Sequence, residues 1–542
     1  MKKTILIGGK AGQGIARTSA FLGKIFTKAG FYVFNYRDYP SLIRGGHNFN
    51  ILSISDSPIF SFEREFDIIL ALDQKTITLY KKNLKKGGFI LGDKTLRDEK
   101  LQEVNLKEIL EKLNLPSIFG NNILIGWLGK YFGIPFKIIS KTTKEEFGEK
   151  AEKIIKSIKE GYKLSFEKEK LKIKKEKIFL SGTEGIGLGA LKAGLNIYFA
   201  YPMTPATPLL HFLAKKQKEG KILVYQPENE IAVINMALGA SYAGAKTMVG
   251  TSGGGFDLMA EACSLQGMSE IPLVVYVAQR MGPSTGVPTY TSQGDLDCVL
   301  NIGHGEYEKV VIAPGDSKEA LRTTIEAFYL SQKYRVLVII LGDKHLAESH
   351  FTFDKLEKPK VKVKDFILKK IPKNYKSYKI TKTGISPRAI PGQKAVVRAT
   401  GYEHGEDGIT TEDSKEILKQ VEKRKRKGEF LKKEIEKLDP VKFYGKGENL
   451  IVSWGSTKGA ILDALKELKG FRFLQIIYLK PFPEKIVKKE IEKAKKIYIV
   501  ENNATSPLSR IIRQETGILI ENRILKADGR PFTPSEIIKK IK

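Results

Sequence analysis

Short apolar runs alternate with amphipathic stretches in the first part of the chain. Strand-length apolar runs occur at residues 4–7, 31–34, 51–54, 67–72 and 88–91. A helical pattern follows the first glycine-rich turn and continues to about Ala29, and residues 144–162 predict one long amphipathic helix. This alternation predicts an α/β domain over residues 1–165.

The same alternation returns twice further along the chain. Predicted strands lie at residues 178–181, 196–200, 222–225, 247–250, 272–278, 310–313 and 336–341, with helices between them. Short apolar strands separated by helices are typical of a parallel sheet that is covered on both faces, so residues 178–350 predict a second α/β domain. Apolar runs at 450–454, 473–478 and 496–500 predict a third over residues 447–542.

Two segments interrupt this pattern. Residues 166–177 are densely charged and predict a linker. Residues 351–446 are rich in lysine and punctuated by glycine and proline, with one highly charged helix at 414–438, and they predict an irregular connector.

The distribution of charged residues argues against two classes of protein, those that bind nucleic acid and those that span a membrane. The 542 residues include 92 Lys and Arg against 61 Asp and Glu, a formal net charge of +31. The lysines alternate with glutamates on predicted helices, as at residues 152–160, which is typical of solvated faces, so we expect no nucleic-acid binding. The longest uncharged run, 193–214, contains three prolines and cannot form one membrane-spanning helix. We therefore expect no membrane association.

The cysteine content excludes several kinds of site. Cys263 and Cys298 are the two cysteines of the chain. Two thiols exclude a disulfide scaffold, a four-cysteine zinc site and an iron–sulfur cluster held by this chain alone. They fit a reducing cytoplasm, which is the predicted location.

Residues 201–293 carry the loops best suited to bind a ligand. These loops are nearly uncharged and rich in Gly, Pro, Ser and Thr, and several follow predicted strands, where parallel sheets bind ligands. The loop YPMTPATP begins at Tyr201 and opens a helix. Thr204 or Thr207 can cap that helix, so a rigid capped turn also explains the loop.

Four further features stand in the same region. Glu228 and Glu230 precede a helix, where acidic residues also simply complement the helix dipole. Thr251, Ser252 and Gly253 follow a strand and can bring bare backbone to a ligand. Arg280 is the only charged residue between Glu270 and Asp295, and a lone arginine at a strand end suits a carboxylate or phosphate, with a surface ion pair as the alternative. The small-residue helix at 237–245 is a candidate interface.

Other patterns suggest different chemistry. Gly185, Gly187 and Ala190 match the G-x-G-x-x-A pattern of nicotinamide-dependent oxidoreductases. The acidic residue expected about 20 positions further on is absent, although this enzyme class stays open as an alternative. The acidic cluster around His404, at residues 403–407, can be a metal site or a polar loop.

Taken together, the loops resemble the alpha subunits of the 2-oxoacid:ferredoxin oxidoreductases, of the type with a gamma-type domain fused at the N-terminus. The resemblance rests on YPMTPATP, ENEIAVINMALGASYAGAKTM, TSGGGFDLM, QRMGPSTGVPT and SQGDLD in the middle of the chain. GGKAGQGI and the residues Ile43-Arg44-Gly45-Gly46-His47-Asn48 resemble the gamma-type domain. The chain departs from the family at Gly254, where proline is common, and at Tyr290, where a basic residue is frequent.

The resemblance implies three α/β domains: a gamma-type domain, a transketolase-like domain that binds the pyrimidine end of thiamine diphosphate, and a C-terminal domain like that of transketolase. It implies a catalytic glutamate that hydrogen-bonds the aminopyrimidine ring. We assign it to Glu230, with Glu228 as second choice. Cofactor contacts are then expected from Thr251, Ser252 and Gly253.

The resemblance also implies how the substrate is held. The hydroxyl of Thr204 is expected to bind the 2-oxoacid, with Tyr201 in the same loop. Arg280 is expected to pair with the carboxylate.

The chain has no G-D-G motif followed by two asparagines for magnesium and diphosphate. The resemblance therefore implies a heterodimer with a beta subunit that brings Mg²⁺ and a [4Fe–4S] cluster, with ferredoxin as electron acceptor and coenzyme A as acyl acceptor. The architecture favours 2-oxoglutarate as substrate. Pyruvate, a branched-chain 2-oxoacid and a non-catalytic scaffold role stay open.

Overall fold

The computed structural model describes residues 1–41, 46–169, 172–220 and 222–542, which form two compact units. Unit one contains Met1–Ser181, Glu348–Leu356 and Thr533–Lys542; unit two contains Gly182–Ala347 and Glu357–Phe532. Both units combine helices with β-sheet, so the α/β fold class is confirmed.

The helices and strands follow one another closely up to residue 356. Over residues 1–181 they are β1 (Lys2–Lys10), α1 (Ile15–Lys28), β2 (Tyr32–Asp38), β3 (His47–Ser55), β4 (Phe66–Ala71), α2 (Gln74–Tyr80), β5 (Leu84–Asp93), β6 (Leu101–Val104), α3 (Leu106–Lys112), α4 (Gly120–Tyr131), α5 (Phe136–Phe147), α6 (Ala151–Leu164) and β7 (Ile178–Ser181). Over residues 182–356 they are α7 (Gly182–Ala193), β8 (Ile197–Phe199), α8 (Thr207–Gln217), β9 (Leu223–Tyr225), α9 (Glu230–Tyr242), β10 (Thr247–Thr251), α10 (Gly253–Asp257), α11 (Ala260–Ser269), β11 (Leu273–Gln279), α12 (Leu296–Asn301), β12 (Lys309–Ile312), α13 (Ser317–Tyr334), β13 (Leu337–Asp343), α14 (Lys344–Glu348) and β14 (His350–Phe353).

The remaining elements lie in the last third of the chain. They are α15 (Ser414–Ile435), β15 (Val441–Gly445), β16 (Asn449–Trp454), α16 (Lys458–Ala464), β17 (Phe471–Ile476), β18 (Tyr478–Lys480), α17 (Glu484–Glu492), β19 (Ile497–Glu501), α18 (Pro507–Thr516), β20 (Arg523–Leu525) and α19 (Pro534–Ile541). Among the described residues, none of the helices has the length and apolar character needed to cross a membrane.

Unit one is built on an eight-stranded mixed sheet in the order β6-β5-β4-β1-β3-β2-β14-β7. The central strand β1 runs parallel to β4 and antiparallel to β3. The predicted long helix at 144–162 is wrong, because α5 ends at Phe147 and α6 begins at Ala151. Gly148 between them has a φ of +53°, a conformation that a right-handed helix cannot contain.

Strand β7 lies in an unexpected sheet. The sequence places residues 178–181 at the start of the second α/β domain, but β7 pairs antiparallel with β14 at the edge of the sheet in unit one. The prediction that β7 opens the parallel sheet is therefore wrong. A four-residue apolar strand carries no information about its partner, and here the partner lies some 170 residues further along the chain. The five domain limits as a set stay a prediction.

Unit two contains a seven-stranded sheet in the order β18-β12-β13-β11-β10-β8-β9, in which only β18 runs antiparallel to its neighbour. Every residue of β11 is buried, as expected of a strand with both faces covered. A five-stranded sheet, β15-β17-β16-β19-β20, completes the unit. The carboxyl ends of β8, β10 and β11 meet at one edge of the larger sheet and position the candidate site.

The predicted connector is irregular in its first part but well packed. From residue 357 to 413 it forms no helix or strand, yet Tyr378 is fully buried. The helix that follows, α15, is fixed by Glu270, whose carboxylate accepts hydrogen bonds from Lys423 at 2.6 Å and Lys427 at 2.7 Å. Burial alone would raise the pKa of Glu270, but these two cations hold it well below its usual range. Helix α15 is thus tied to the turn between α11 and β11 by a buried ion cluster.

Candidate functional site

The predicted site residues meet because three strands end at one edge of the sheet. In the parallel registers, Phe199 of β8 lies beside Val249 of β10, and Thr251 of β10 lies beside Val277 of β11. The loops that begin at Tyr201, Ser252 and Arg280 therefore leave the sheet side by side. This arrangement brings together loops that are almost 80 residues apart in the chain.

Glu230 occupies the first turn of α9, where its side chain is buried. Asn229 caps the helix by accepting a hydrogen bond from the backbone N–H of Ala232 at 2.9 Å. Glu230 is only 4% exposed, whereas Glu228, two residues earlier, is exposed. The Oε1 atom of Glu230 is buried and has no hydrogen-bond partner among the described residues. The two glutamates thus differ in environment, and only the second points a polar atom without a partner into the protein.

The glycine-rich helix α10, directly after β10, makes room for this carboxylate. A Cβ atom at Gly255 would lie 2.7 Å from Oε1 of Glu230 and 2.3 Å from Oγ1 of Thr251. Both distances are too short for a side chain, so glycine is needed there. Thr251 and Ser252 are fully buried, and Oγ of Ser252 has no partner among the described residues. Glu230, Thr251 and the glycine backbone therefore form one polar, tightly packed group.

Arg280 extends from the end of β11 to the YPMTP loop. Its Nη1 donates a hydrogen bond to the backbone carbonyl of Thr204 at 2.8 Å. No carboxylate in the described part of the chain forms an ion pair with Arg280, so the alternative of a surface ion pair finds no support. Burial lowers the pKa of the guanidinium, while Asp295 acts in the opposite direction. Tyr201 is 38% exposed, at the open side of the same loop.

Asp295 is a neighbour of the site that sequence reasoning did not single out. Its carboxylate lies against the loop after β10, since a Cβ atom at Gly253 would come within 2.6 Å of Oδ2. Its backbone N–H donates to Oε1 of Gln279, beside Arg280, at 3.0 Å. Burial and the charge of Asp257 raise the pKa of Asp295 to about 6, although Arg280 lowers it. The available signal was its position as the first charge after the long neutral run.

Helix α9 exposes apolar side chains as well as the polar Asn235. Ile231 and Met236 are 52% and 41% exposed, and a Cβ atom at Gly239 would meet nothing within 4 Å. Leu258, in the loop that follows the glycine-rich turn, is also 52% exposed. We call these four residues the open face. Ile231, Met236 and Gly239 lie on the helix that carries Glu230, and Leu258 directly follows the helix that carries Gly255.

Two other predicted patterns have structural explanations. In α7, a Cβ atom at Gly185 would lie 2.3 Å from the Ser317 carbonyl and one at Gly189 2.6 Å from the Leu321 carbonyl, so the glycines permit close packing on α13. In the acidic cluster, Glu403 pairs with Arg424 and the ring of His404 lies 3.7 Å from that of Tyr378.

Within the described residues, no three His, Cys, Asp or Glu side chains are grouped to hold a metal ion. In the gamma-type motif at Ile43–Asn48, residues 43–45 lie outside the described residues.

Family models match two parts of the chain. Residues 188–423 match "Pyruvate flavodoxin/ferredoxin oxidoreductase, thiamine diP-bdg" and residues 4–164 match "Pyruvate ferredoxin/flavodoxin oxidoreductase". The first match contains all eight predicted site residues.

Individual proteins are similar over nearly the whole chain. A 2-oxoacid:ferredoxin oxidoreductase subunit alpha from Sulfolobus sp is 33% identical, covering 99% of this chain and 96% of its own. The 2-oxoglutarate synthase subunit KorA of Methanocaldococcus jannaschii is 32% identical over 66% of this chain and 97% of its own length. The solved 2-oxoglutarate:ferredoxin oxidoreductase from Magnetococcus marinus, which has 2-oxoglutarate, coenzyme A and succinyl-CoA bound, superposes with a TM-score of 0.89 at 28% identity. That alignment covers 100% of this chain and 99% of the solved one.

Proposed function

Because the chain belongs to the family of 2-oxoacid:ferredoxin oxidoreductase alpha subunits, we propose that Glu230 is its catalytic glutamate and that 2-oxoglutarate is its substrate. The family makes the chain a subunit of an oxidoreductase that uses thiamine diphosphate. The observation that supports Glu230 is its buried Oε1 atom, which has no partner among the described residues and lies against Gly255.

The residues of the site fit the pyrimidine end of thiamine diphosphate. A buried carboxylate oxygen without a partner suits a ring nitrogen of the cofactor, and Gly255 leaves the space that a side chain would fill. Thr251, Ser252 and Gly253 would line the same side. When bound, thiamine diphosphate supplies the electron sink for decarboxylation of a 2-oxoacid. Glu230 would hold the hydrogen bond that orients the pyrimidine ring, with the exposed Glu228 as the alternative.

Arg280 and the YPMTP loop would hold the substrate. A guanidinium in a part-buried, otherwise uncharged loop is suited to pair with the 2-oxoacid carboxylate through charge-assisted hydrogen bonds. The hydroxyl of Thr204 would bind the keto oxygen, and the contact between Arg280 and the Thr204 carbonyl keeps the two groups adjacent. Tyr201 would close the outer side of the pocket.

The open face would bind a beta subunit. Ile231, Met236 and Leu258 are exposed, the space beside Gly239 is open, and exposed apolar surface is typical of protein interfaces. A beta subunit placed there would carry Mg²⁺ and a [4Fe–4S] cluster, which this chain has no motif to hold. Ferredoxin would accept the electrons and coenzyme A the acyl group, in the cytoplasm.

The choice of 2-oxoglutarate draws on the relatives. The M. jannaschii relative is named a 2-oxoglutarate synthase subunit, and the M. marinus structure contains 2-oxoglutarate and succinyl-CoA. The Sulfolobus relative is named for 2-oxoacids in general. Pyruvate and branched-chain 2-oxoacids are therefore the alternatives that an assay must include.

The test is co-expression of the chain with candidate beta subunits from the same genome. The purified complex is assayed for coenzyme A-dependent reduction of a viologen dye with 2-oxoglutarate, pyruvate and 2-oxoisovalerate. We expect activity only when both chains are present, with 2-oxoglutarate preferred. A preference for another acid would overturn the substrate, and full activity of Glu230→Gln would overturn the catalytic assignment.

A further inference from the structure

Two arginines of unit two are buried where the irregular segment 357–413 contacts helices α9 and α13. Arg335 directly follows α13 and is 8% exposed, while Arg388 belongs to the irregular segment and is 5% exposed. Both line one cavity, which has a volume of about 20 Å³. Because arginine keeps its positive charge at neutral pH, two buried charges of the same sign share this cavity.

The hydrogen-bond partners of both arginines are neutral groups. Arg335 donates to two backbone carbonyls, each at 2.9 Å. Arg388 donates to the backbone carbonyl of Ser241 and, at 2.9 Å, to the side-chain amide oxygen of Gln332. Neither arginine forms an ion pair in the described part of the chain, although the charge of the exposed Asp365 acts on Arg388. The Nη2 of Arg335 and the Nε of Arg388 donate no hydrogen bond there, so both guanidinium groups keep donors to spare.

Positive charge is in excess around the cavity. Glu270 is the only acidic residue that lines it, and the oxygens of Glu270 already accept hydrogen bonds from Lys423 at 2.6 Å and Lys427 at 2.7 Å. Burial and, after it, the charge of Arg335 lower the pKa of Arg388 to about 10. Burial also lowers the pKa of Lys423 to about 8, although Glu270 raises it. Four cations therefore stand around one buried carboxylate, and buried charges of one sign are unfavourable without a counter-charge.

The size of the cavity and its other polar groups suit a small anion. Arg398 adds a third guanidinium to the lining, at an exposed position. The Oγ atom of Ser269 is buried and has no hydrogen-bond partner among the described residues. A cavity of about 10–15 Å³ holds one water molecule, so the volume of about 20 Å³ suits a single monatomic ion rather than phosphate.

We propose that this cavity binds one halide ion, chloride under ordinary conditions, between the segment 357–413 and the helices of the parallel sheet. The N–H groups of Arg335 and Arg388 hold the ion, which supplies the missing negative charge. Arg388 reaches the last turn of α9, the helix that begins with Glu230, and Arg335 ends α13. The bound ion therefore fixes the irregular segment against both helices. This inference goes beyond the proposed function and does not depend on it.

The test measures how chloride affects the thermal stability of the full chain. Sodium gluconate is replaced by sodium chloride at constant ionic strength, for wild type, Arg388→Met and Lys394→Met. Lys394→Met is the matched control, because Lys394 is an exposed cation of the same segment. Wild-type crystals soaked in sodium bromide locate the ion independently through its anomalous scattering, which decides the question even if Arg388→Met does not fold.

We expect about 100 mM chloride to raise the melting temperature of the wild-type chain by about 2–5 °C relative to gluconate. Lys394→Met is expected to show the same rise and Arg388→Met a much smaller one, and bromide is expected in the cavity. An equal rise in all three proteins would show a general salt effect and overturn the inference. So would the absence of a chloride effect on the wild type, or crystals without bromide in the cavity. None of these measurements needs a substrate or a beta subunit, so their outcome is separate from that of the proposed function.

Discussion

Replacing Glu230 by glutamine tests the proposed site most directly. The change exchanges one carboxylate oxygen for an NH₂ group of the same size, so the contacts with Gly255 and Thr251 stay possible. It removes the negative charge that would hold the pyrimidine ring of the cofactor. Loss of a positioned acid–base group lowers kcat by about 10²–10⁴-fold, or roughly 3–5 kcal/mol in the barrier. We expect Glu230→Gln to fall in that range.

The activity of Glu230→Gln is expected to fall, whereas its thermal stability is expected to stay the same or rise. A buried polar atom left without a hydrogen bond costs about 1–3 kcal/mol, and Oε1 of Glu230 is such an atom in the described structure. An uncharged amide is cheaper to bury than a carboxylate. The isolated chain carrying Glu230→Gln is therefore expected to melt at the wild-type temperature or above. If Glu230 instead served mainly to stabilise the fold, its replacement would lower the melting temperature.

Glu228→Gln provides the matched control for this experiment. It makes the same chemical change two residues away, at an exposed position, and we expect it to keep most of the activity. The assay is coenzyme A-dependent dye reduction by the complex, combined with thermal melting of each isolated chain. The reasoning is refuted if Glu230→Gln keeps activity within threefold of wild type, or if its melting temperature falls with its activity.

Three further predictions follow from neighbouring residues. Arg280→Met is expected to raise KM for the 2-oxoacid by roughly tenfold to a hundredfold, because a charge-assisted contact of about 1.5–3 kcal/mol is lost; an unchanged KM would contradict the assignment. Gly239→Leu is expected to prevent assembly with the beta subunit in size-exclusion chromatography while leaving the melting temperature of the isolated chain unchanged, since nothing lies within 4 Å of the new Cβ. The raised pKa of Asp295, about 6, means that folding takes up a proton between about pH 4 and 6, so stability falls as pH rises through that range and stays at the lower value above pH 6. Asp295→Asn should thus gain roughly 2–3 kcal/mol over wild type in denaturant unfolding at pH 8 and nothing near pH 4, whereas an equal difference at both pH values would contradict the origin in ionisation.

Much of the fold could be predicted because local patterns determine it. The predicted strand at 272–278 corresponds to β11, and the predicted helix at 414–438 corresponds closely to α15. Once the strands are taken as parallel, their carboxyl ends must share an edge, so the meeting of the loops at Tyr201, Ser252 and Arg280 also follows from the sequence. These inferences need only short-range periodicity and one topological rule.

The features that escaped prediction depend on contacts between distant residues. The pairing of β7 with β14 joins two short apolar strands that no local pattern links. The contact of Arg530 with Tyr290 spans 240 positions and is set by the packing of the turn around Gly529. The raised pKa of Asp295 likewise comes from burial by loops that fold back on it. The burial of a side chain and the identity of its partners depend on tertiary packing. Neither can therefore be read from the sequence alone.

The choice between Glu228 and Glu230 shows how far the sequence alone can identify a site residue. Asparagine is a preferred N-cap residue, and Asn229 takes that role in the structure. A capping asparagine at 229 places Glu230 inside the helix and Glu228 outside it, so the sequence does contain the signal that separates them. What the sequence does not show is that the glycine-rich segment after β10 packs against Glu230, whose Oε1 has no partner among the described residues. The helix cap places Glu230 in the first turn of α9, and the packing of Gly255 against Oε1 is what makes Glu230 the stronger candidate.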